Sequence, residues 1–128
     1  MSSKNLTLAS VPMRNRVIVA AGCHGSDGAT IVRTSQQGVA AITTKTIVAQ
    51  AVEDVRPCFS RVEGGFLNSV FGTTLPAERW FEYELPRAKE ARIPIIASLA
   101  GLHPAEAAEL ARSAVDAGAD MIEMPSEY

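Results

Sequence analysis

The chain has 128 residues, of which 47% are hydrophobic and 20% charged, and its formal net charge is −2. This composition is typical of one soluble globular domain and excludes a disordered chain. No basic patch indicates nucleic-acid binding, no apolar run reaches the roughly 18 residues of a membrane span, and the N-terminus lacks the apolar core of a signal peptide. A cytoplasmic location is therefore expected.

The first half of the chain predicts two short βα units. In chain order the predicted elements are a small hairpin formed by residues 6–11 and a turn at 12–16, a strand at 17–21, a helix at 29–37 and a strand at 39–44. Ser26 or Asp27 is a suitable N-cap for the helix, and Gly38 ends it. Each predicted strand is apolar throughout, as expected for a buried parallel sheet.

The second half begins with a long excursion over residues 49–65, predicted to carry one or two short strands at the mouth of the sheet. After it come a helix at 76–91 that kinks or restarts at Pro86, a strand at 93–99, a helix at 104–117 and a strand at 119–124. Two buried helix faces are predicted: Trp80, Phe81 and Leu85 on the first helix, and Ala107, Leu110, Ala111, Ala114 and Val115 on the second.

Strictly alternating strands and helices predict right-handed crossovers and a parallel α/β sheet. A closed eight-stranded barrel takes about 250 residues, so 128 residues are too few for one.

The segment at residues 38–46 is the most informative for function. It runs from a glycine turn through a short buried strand into Thr44, Lys45 and Thr46. Ligands of α/β proteins bind at the carboxyl ends of parallel strands. Lys45 therefore either meets an electron-rich ligand there or simply reaches solvent.

Two other positions carry polar or small groups near predicted strand ends. Gly22 ends the first strand, where a small residue lets a planar ligand approach the backbone. Asn68 follows the turn at Gly64 and Gly65, and its amide either binds a ligand or satisfies its own backbone.

Three short motifs together resemble the dihydroorotate dehydrogenase family of flavin enzymes. They are Ala21-Gly22, Thr44-Lys45-Thr46 and Phe66-Leu67-Asn68, and the resemblance extends from about Leu6 to about Glu123. The flavin domain of dihydropyrimidine dehydrogenase has similar motifs. The resemblance implies that residues 1–128 form a single domain, the N-terminal half of a longer TIM-type (β/α)8 barrel that binds flavin mononucleotide (FMN).

The same resemblance implies roles for individual residues. Ala21 and Gly22 would lie beneath the isoalloxazine ring, and Thr44 and Lys45 would face its pyrimidine side. Lys45 and Asn68 would contact a small pyrimidine substrate. A fixed ammonium near a reduced flavin stabilises its negative charge, and a buried amide selects a ring with matching edges.

The implied activity is an FMN-dependent dehydrogenase acting on the C5–C6 bond of a dihydropyrimidine. The implied partners are further copies of the chain or an electron-transfer subunit, with no nucleic acid and no membrane. A dihydropyrimidine dehydrogenase-like subunit is an alternative enzyme. A reading from another class is a non-catalytic half-barrel that folds only with a partner, and the isolated chain is expected to be inactive.

The chain departs from the family pattern after Glu123. The family continues into an Asn-containing segment and a Ser or Cys base, whereas this chain continues with Met124 and Pro125. The catalytic base is therefore unassigned, with Ser98, Ser126 and Tyr128 as candidate hydroxyls.

No metal site is predicted. Cys23 and His24 are adjacent, and two ligands do not make a site. Cys58 is interpreted as a small buried hydrophobe, and His24 and His103 are left out of the catalytic set.

Overall fold

The structure is a computed structural model that describes residues 6–126. The strands are, in chain order, β1 (Thr7–Leu8), β2 (Val11–Pro12), β3 (Ile18–Val19), β4 (Ala41–Thr43), β5 (Ile47–Val48), β6 (Phe59–Val62), β7 (Gly65–Asn68), β8 (Ile95–Ala100) and β9 (Met121–Glu123). The α-helices are α1 (Gly28–Ser35), α2 (Ala77–Arg79), α3 (Leu85–Ala88) and α4 (Pro104–Asp116).

The central sheet is wholly parallel, as the sequence predicts. β3 pairs with β4, β4 and β5 pair with β8, and β9 pairs with β8. The strands therefore follow one another across the sheet in chain order. Doubly wound sheets reverse their order at a switch point, whereas a barrel keeps it. The described strands fit part of a TIM-like barrel, and the closed barrel stays a prediction.

The N-terminal hairpin is present, but its predicted turn is wrong. The chain reverses at Ala9 and Ser10, whose φ angles are 46° and 67°. Two consecutive residues of positive φ form the tight turn that matches the twist of paired strands. Residues 12–16 instead lead from β2 into the first parallel strand.

The predicted boundaries of the excursion are wrong at its C-terminal side. Gly64 takes a φ of +79°, and the chain then returns as β7, antiparallel to β6. Asn68 is consequently the last residue of a strand rather than a residue after a turn. β5 was not predicted, and β8 continues to Ala100, beyond the predicted end at residue 99.

The helix predicted over residues 76–91 is composite. α2 is followed by a π-helical turn (Trp80–Glu84), then by α3 and a 3-10 turn (Lys89–Ala91). Pro86 lies in the first turn of α3. Proline cannot donate to the preceding turn, so the helix restarts there, as predicted. Within residues 6–126, no helix is long and apolar enough to cross a membrane.

Most of the predicted core is confirmed. Trp80, Leu85 and the inner positions Ala107, Leu110 and Ala114 are buried in one cluster between the sheet and the helices. Val115 was predicted to join them and is wrong, because it is 56% exposed on the outer side of α4. The prediction for Cys58 is also wrong, since the thiol is only partly buried.

The start of α1 is held by two carboxylates. Asp27 is the N-cap, as one of the two predicted candidates, and accepts the Thr30 amide at 2.7 Å. Partial burial would raise the pKa of Asp27, but hydrogen bonds from Thr30, Ser26 and Ala29 outweigh it and hold that pKa below 3.8. The second carboxylate comes from the composite helix: buried Glu84 accepts the Gly28 amide at 2.9 Å.

Candidate functional site

Polar side chains gather at the carboxyl edge of the parallel sheet, on the face turned away from the helices. Near the amino ends of the strands, Ile96 packs with Met13, Ala40 and Ala41, which closes that end with apolar groups. Two residues further along β8, Ser98 lies in register with Glu123. The same face thus changes from apolar to polar toward the edge where ligands bind in this class of fold.

A β-bulge lies at the Thr-Lys-Thr motif. Thr43 pairs with Ile96 and Ile47 pairs with Leu99, so four steps along one strand match three along the other. One extra residue is therefore accommodated between β4 and β5. Bulges are enriched beside active sites because they redirect a side chain out of the regular alternation.

Buried hydroxyls replace the regular ladder across the bulge. The Ser98 amide donates to Thr44 Oγ1 at 3.0 Å, and the hydroxyls of Ser98 and Thr46 are 3.1 Å apart. Thr44 and Ser98 are both 0% exposed. The Thr44 hydroxyl is therefore committed to the sheet, where it fixes the backbone on the N-terminal side of Lys45.

The loop after β3 packs directly onto this bulge. The Lys45 amide donates to the Gly25 carbonyl at 2.8 Å, and the Gly25 amide donates to the Gly22 carbonyl at 3.1 Å. A Cβ added to Gly25 would lie 2.2 Å from the Thr43 carbonyl oxygen, so only glycine permits this approach. The structure thereby brings Gly22 and Lys45, predicted from separate motifs, into one constellation.

Gly22 has the backbone shape that the prediction needs. Its φ of 156° and ψ of −155° belong to a region essentially confined to glycine. A Cβ built on Gly22 would meet no atom within 4 Å. Ala21 beside it is exposed. The backbone at these two residues is consequently open to a flat ligand.

Lys45 is half-buried and borders a small cavity of about 50 Å³. Cys58 and Ser69 from the excursion, and the carboxyl-bearing residues Glu53 and Asp54, line the same cavity. Among residues 6–126, Lys45 takes part in no ion pair. Its ammonium therefore has no fixed anionic partner in the part of the chain that the structure describes.

Asn68 lies apart from this constellation. It faces Phe59 across the hairpin, is exposed, and its Oδ1 accepts the Val70 amide at 2.8 Å. The alternative that the side chain satisfies its own backbone is therefore realised for the oxygen, while the amide NH2 is not used in that bond. Its neighbour Ser69, rather than Asn68 itself, lines the cavity beside Lys45.

Sequence reasoning missed Thr73, which anchors the base of the excursion. Its amide donates to the Thr46 carbonyl at 2.8 Å, its carbonyl accepts the Val52 amide, and its hydroxyl accepts Trp80 Nε1 at 2.9 Å. One buried threonine thus joins the bulge, both ends of the excursion and the composite helix. No local sequence signal marks it, because its four partners are distant in sequence or in the backbone.

Of the candidate base residues, Ser98 is buried in the sheet, Ser126 is exposed beyond β9, and Tyr128 lies outside the described residues. Within residues 6–126, no three His, Cys, Asp or Glu residues lie together in a way that could hold a metal ion.

Comparison with known proteins identifies close sequence relatives. The catalytic subunit of dihydroorotate dehydrogenase B (NAD(+)) from Methanosarcina mazei is 36% identical over 121 residues, which is 92% of this chain and 38% of the relative. The subunit of the same name from Methanocella arvoryzae is 34% identical over 113 residues, 88% of this chain and 36% of the relative. That from Thermoplasma volcanium is 30% identical over 125 residues, 97% of this chain and 41% of the relative.

The chain spans about two fifths of the length of these curated relatives. No family model matches the chain. The relatives nevertheless cover nearly all of the described strands and helices, including the three motifs that carry the resemblance. Over the residues that match, the chain belongs to the dihydroorotate dehydrogenase family.

Proposed function

We propose that this chain is the N-terminal part of a flavin-dependent dehydrogenase that binds FMN and acts on the C5–C6 bond of a dihydropyrimidine. The observation that carries the proposal is the constellation of Lys45, on a β-bulge at the carboxyl edge, with the open backbone of Gly22 beside it. Membership of the dihydroorotate dehydrogenase family supports the substrate class.

The residues fit a flavin in two respects. Gly22 provides a flat backbone surface that no side chain covers, and Lys45 provides a cation that no carboxylate neutralises within the described residues. When bound, a flavin accepts or returns two electrons as a hydride equivalent. The task of this chain is to hold that ring in place and to favour its reduced, anionic form.

Lys45 is the residue we assign to charge stabilisation. Its backbone is fixed from one side by Gly25 and from the other by the hydroxyl network of Thr44, Thr46 and Ser98. A pre-positioned ammonium in a site that excludes water stabilises developing negative charge without reorganising. In this proposal the Thr44 side chain positions Lys45, because its hydroxyl is already bonded to the Ser98 amide.

Asn68 is proposed to contact the pyrimidine through its amide NH2. The excursion that carries it is attached to the bulge through Thr73, so it lies beside the proposed site. The proton acceptor and the phosphate contacts are proposed to come from parts of the complete protein beyond these residues, as is an electron-transfer partner subunit. The first 128 residues alone are then expected to bind FMN weakly and to show no turnover.

The decisive experiment replaces Lys45 in the complete protein. Lys45→Ala should slow flavin reduction by dihydroorotate by about 100-fold or more, the usual loss for one pre-organised charge partner. Lys89→Ala is the matched control, since Lys89 pairs with Asp120 on the helix side and should leave the rate unchanged. Unchanged reduction kinetics in Lys45→Ala would refute the assignment of that residue.

The alternatives give different results in the same preparation. A dihydropyrimidine dehydrogenase-like subunit would be yellow and would be reduced by dihydrouracil in preference to dihydroorotate. A non-catalytic half-barrel would be colourless, with no flavin released on denaturation.

A further inference from the structure

The β6–β7 hairpin is an apolar element that nothing in the described structure covers. All eight of its residues are exposed. Four of them are large hydrophobic side chains: Phe59 at 61%, Val62 at 41%, Phe66 at 71% and Leu67 at 63% exposure. A two-stranded hairpin is at best marginally stable in water by itself. An exposed apolar cluster of this kind marks a contact surface.

One face of the hairpin has the composition of an interface centre. Phe59 lies opposite Asn68, and Arg61 lies opposite Phe66, so the two phenylalanines and the arginine share that face. Aromatic residues and arginine are enriched at the centres of protein–protein interfaces. Together with Val55, Val70 and Phe71 beside it, the hairpin exposes several hundred Å² of apolar surface, of the order of the roughly 800 Å² that each partner buries in a standard interface.

The position of the hairpin argues against coverage by further strands of the same sheet. The free edges of the parallel sheet are at β3 and β9, where additional strands would pair. The hairpin instead emerges between β5 and the composite helix, in the middle of the strand row. Added barrel strands would therefore join the sheet away from it.

The charges of the hairpin point to a self-complementary partner. Arg61 and Glu63 are the charged residues in the stretch 59–68, they have opposite signs, and neither is in an ion pair within residues 6–126. Across a two-fold axis, Arg61 of one copy would meet Glu63 of the other, and the reverse pair would form by symmetry. A uniformly acidic or basic partner would leave one of these charges unpaired.

We propose that this hairpin is the surface through which two copies of the chain associate. The two phenylalanines form the buried centre, and the reciprocal Arg61–Glu63 pairs fix the orientation. Each hairpin strand also has one free backbone edge, so two hairpins side by side reach the strand number that a stable sheet requires. The proposal is independent of the proposed catalytic function.

The test measures self-association of the complete protein by sedimentation velocity over a range of concentrations. We expect a dimer that Phe66→Glu weakens about 30-fold or more, as for an interface hot spot. Tyr83→Glu is the matched control: Tyr83 is an aromatic residue of similar exposure, 66%, on the composite helix, and its replacement should leave the dimer unchanged.

A charge exchange tests the two-fold arrangement with substitutions that an exposed hairpin tolerates. Arg61→Glu and Glu63→Arg should each weaken the dimer about tenfold, and the double variant should restore it, because the exchanged charges are again complementary across the axis. Failure of the double variant to restore association would overturn the two-fold arrangement.

Three further results would overturn the proposal as a whole. These are a monomeric wild-type protein at all concentrations, slow hydrogen exchange of the hairpin amides in a monomer, and Phe66-dependent binding to vesicles of phosphatidylglycerol. The second would assign the surface to other residues of the same chain, and the third to a lipid surface.

Discussion

Replacement of Thr44 by valine tests whether the buried hydroxyl network holds the bulge together. Valine has nearly the same shape as threonine, so the change leaves no cavity and removes only the acceptor of the Ser98 amide. Because both residues are 0% exposed, water cannot replace the lost acceptor. An unsatisfied buried donor costs about 1–3 kcal/mol, which is the destabilisation we expect for Thr44→Val.

The assay is equilibrium urea unfolding of the complete protein, combined with hydrogen exchange at the Ser98 amide. Exchange through unfolding should accelerate about tenfold for each 1.4 kcal/mol lost. Thr7→Val is the control, since Thr7 is exposed on β1 and the same chemical change there should stay within about 0.5 kcal/mol. If Thr44→Val were as mild as Thr7→Val, the hydroxyl would not be the structural acceptor that we describe.

Three other substitutions test separate features. Gly25→Ala should destabilise the protein by about 1–3 kcal/mol, because its Cβ would lie 2.2 Å from a backbone oxygen; Gly65→Ala, whose Cβ would meet no atom within 4 Å, should be nearly neutral in the same unfolding assay. Asp27→Asn should be less stable than the wild type near neutral pH, and the difference should vanish in acid: a lowered pKa gives stability that is present above the ordinary value of 3.8 and lost as the pH falls below it. Equal pH profiles for the two proteins would contradict that reading. Asn68→Ala should keep the flavin absorbance while the affinity for the pyrimidine falls, and a loss of flavin with intact substrate binding would place Asn68 on the wrong ligand.

The helices and the strand order could be predicted because their signals are local. Pro104 at the start of α4, Asp27 before α1 and the apolar run before Thr44 each lie within a few residues of the element that they define. The parallel sheet followed from strict alternation of strands and helices. Val115 failed because a helical face one residue wider than the actual contact fits the sequence equally well.

The bulge and the excursion could not be predicted in the same way, because register is a property of two strands. Nothing near Lys45 reveals that β4 and β5 together carry one residue more than the matching part of β8. The hydroxyl bonds of Thr44, Thr46 and Ser98 span more than 50 positions for the same reason. For Asn68, the turn at Gly64 was recognised, but the strand that follows it depends on pairing with Phe59.

The contact between Glu84 and the amide of Gly28 has a consequence for the order in which the protein forms during synthesis. α1 has eight residues, too few to be stable as an isolated helix, and its first amide is bonded by a carboxylate 56 positions later in the chain. Its buried side chain Ile31 packs in the cluster that contains Leu85 and Ala88. The first βα unit therefore cannot reach its final stability when it leaves the ribosome, and we expect it to wait there until the composite helix has emerged.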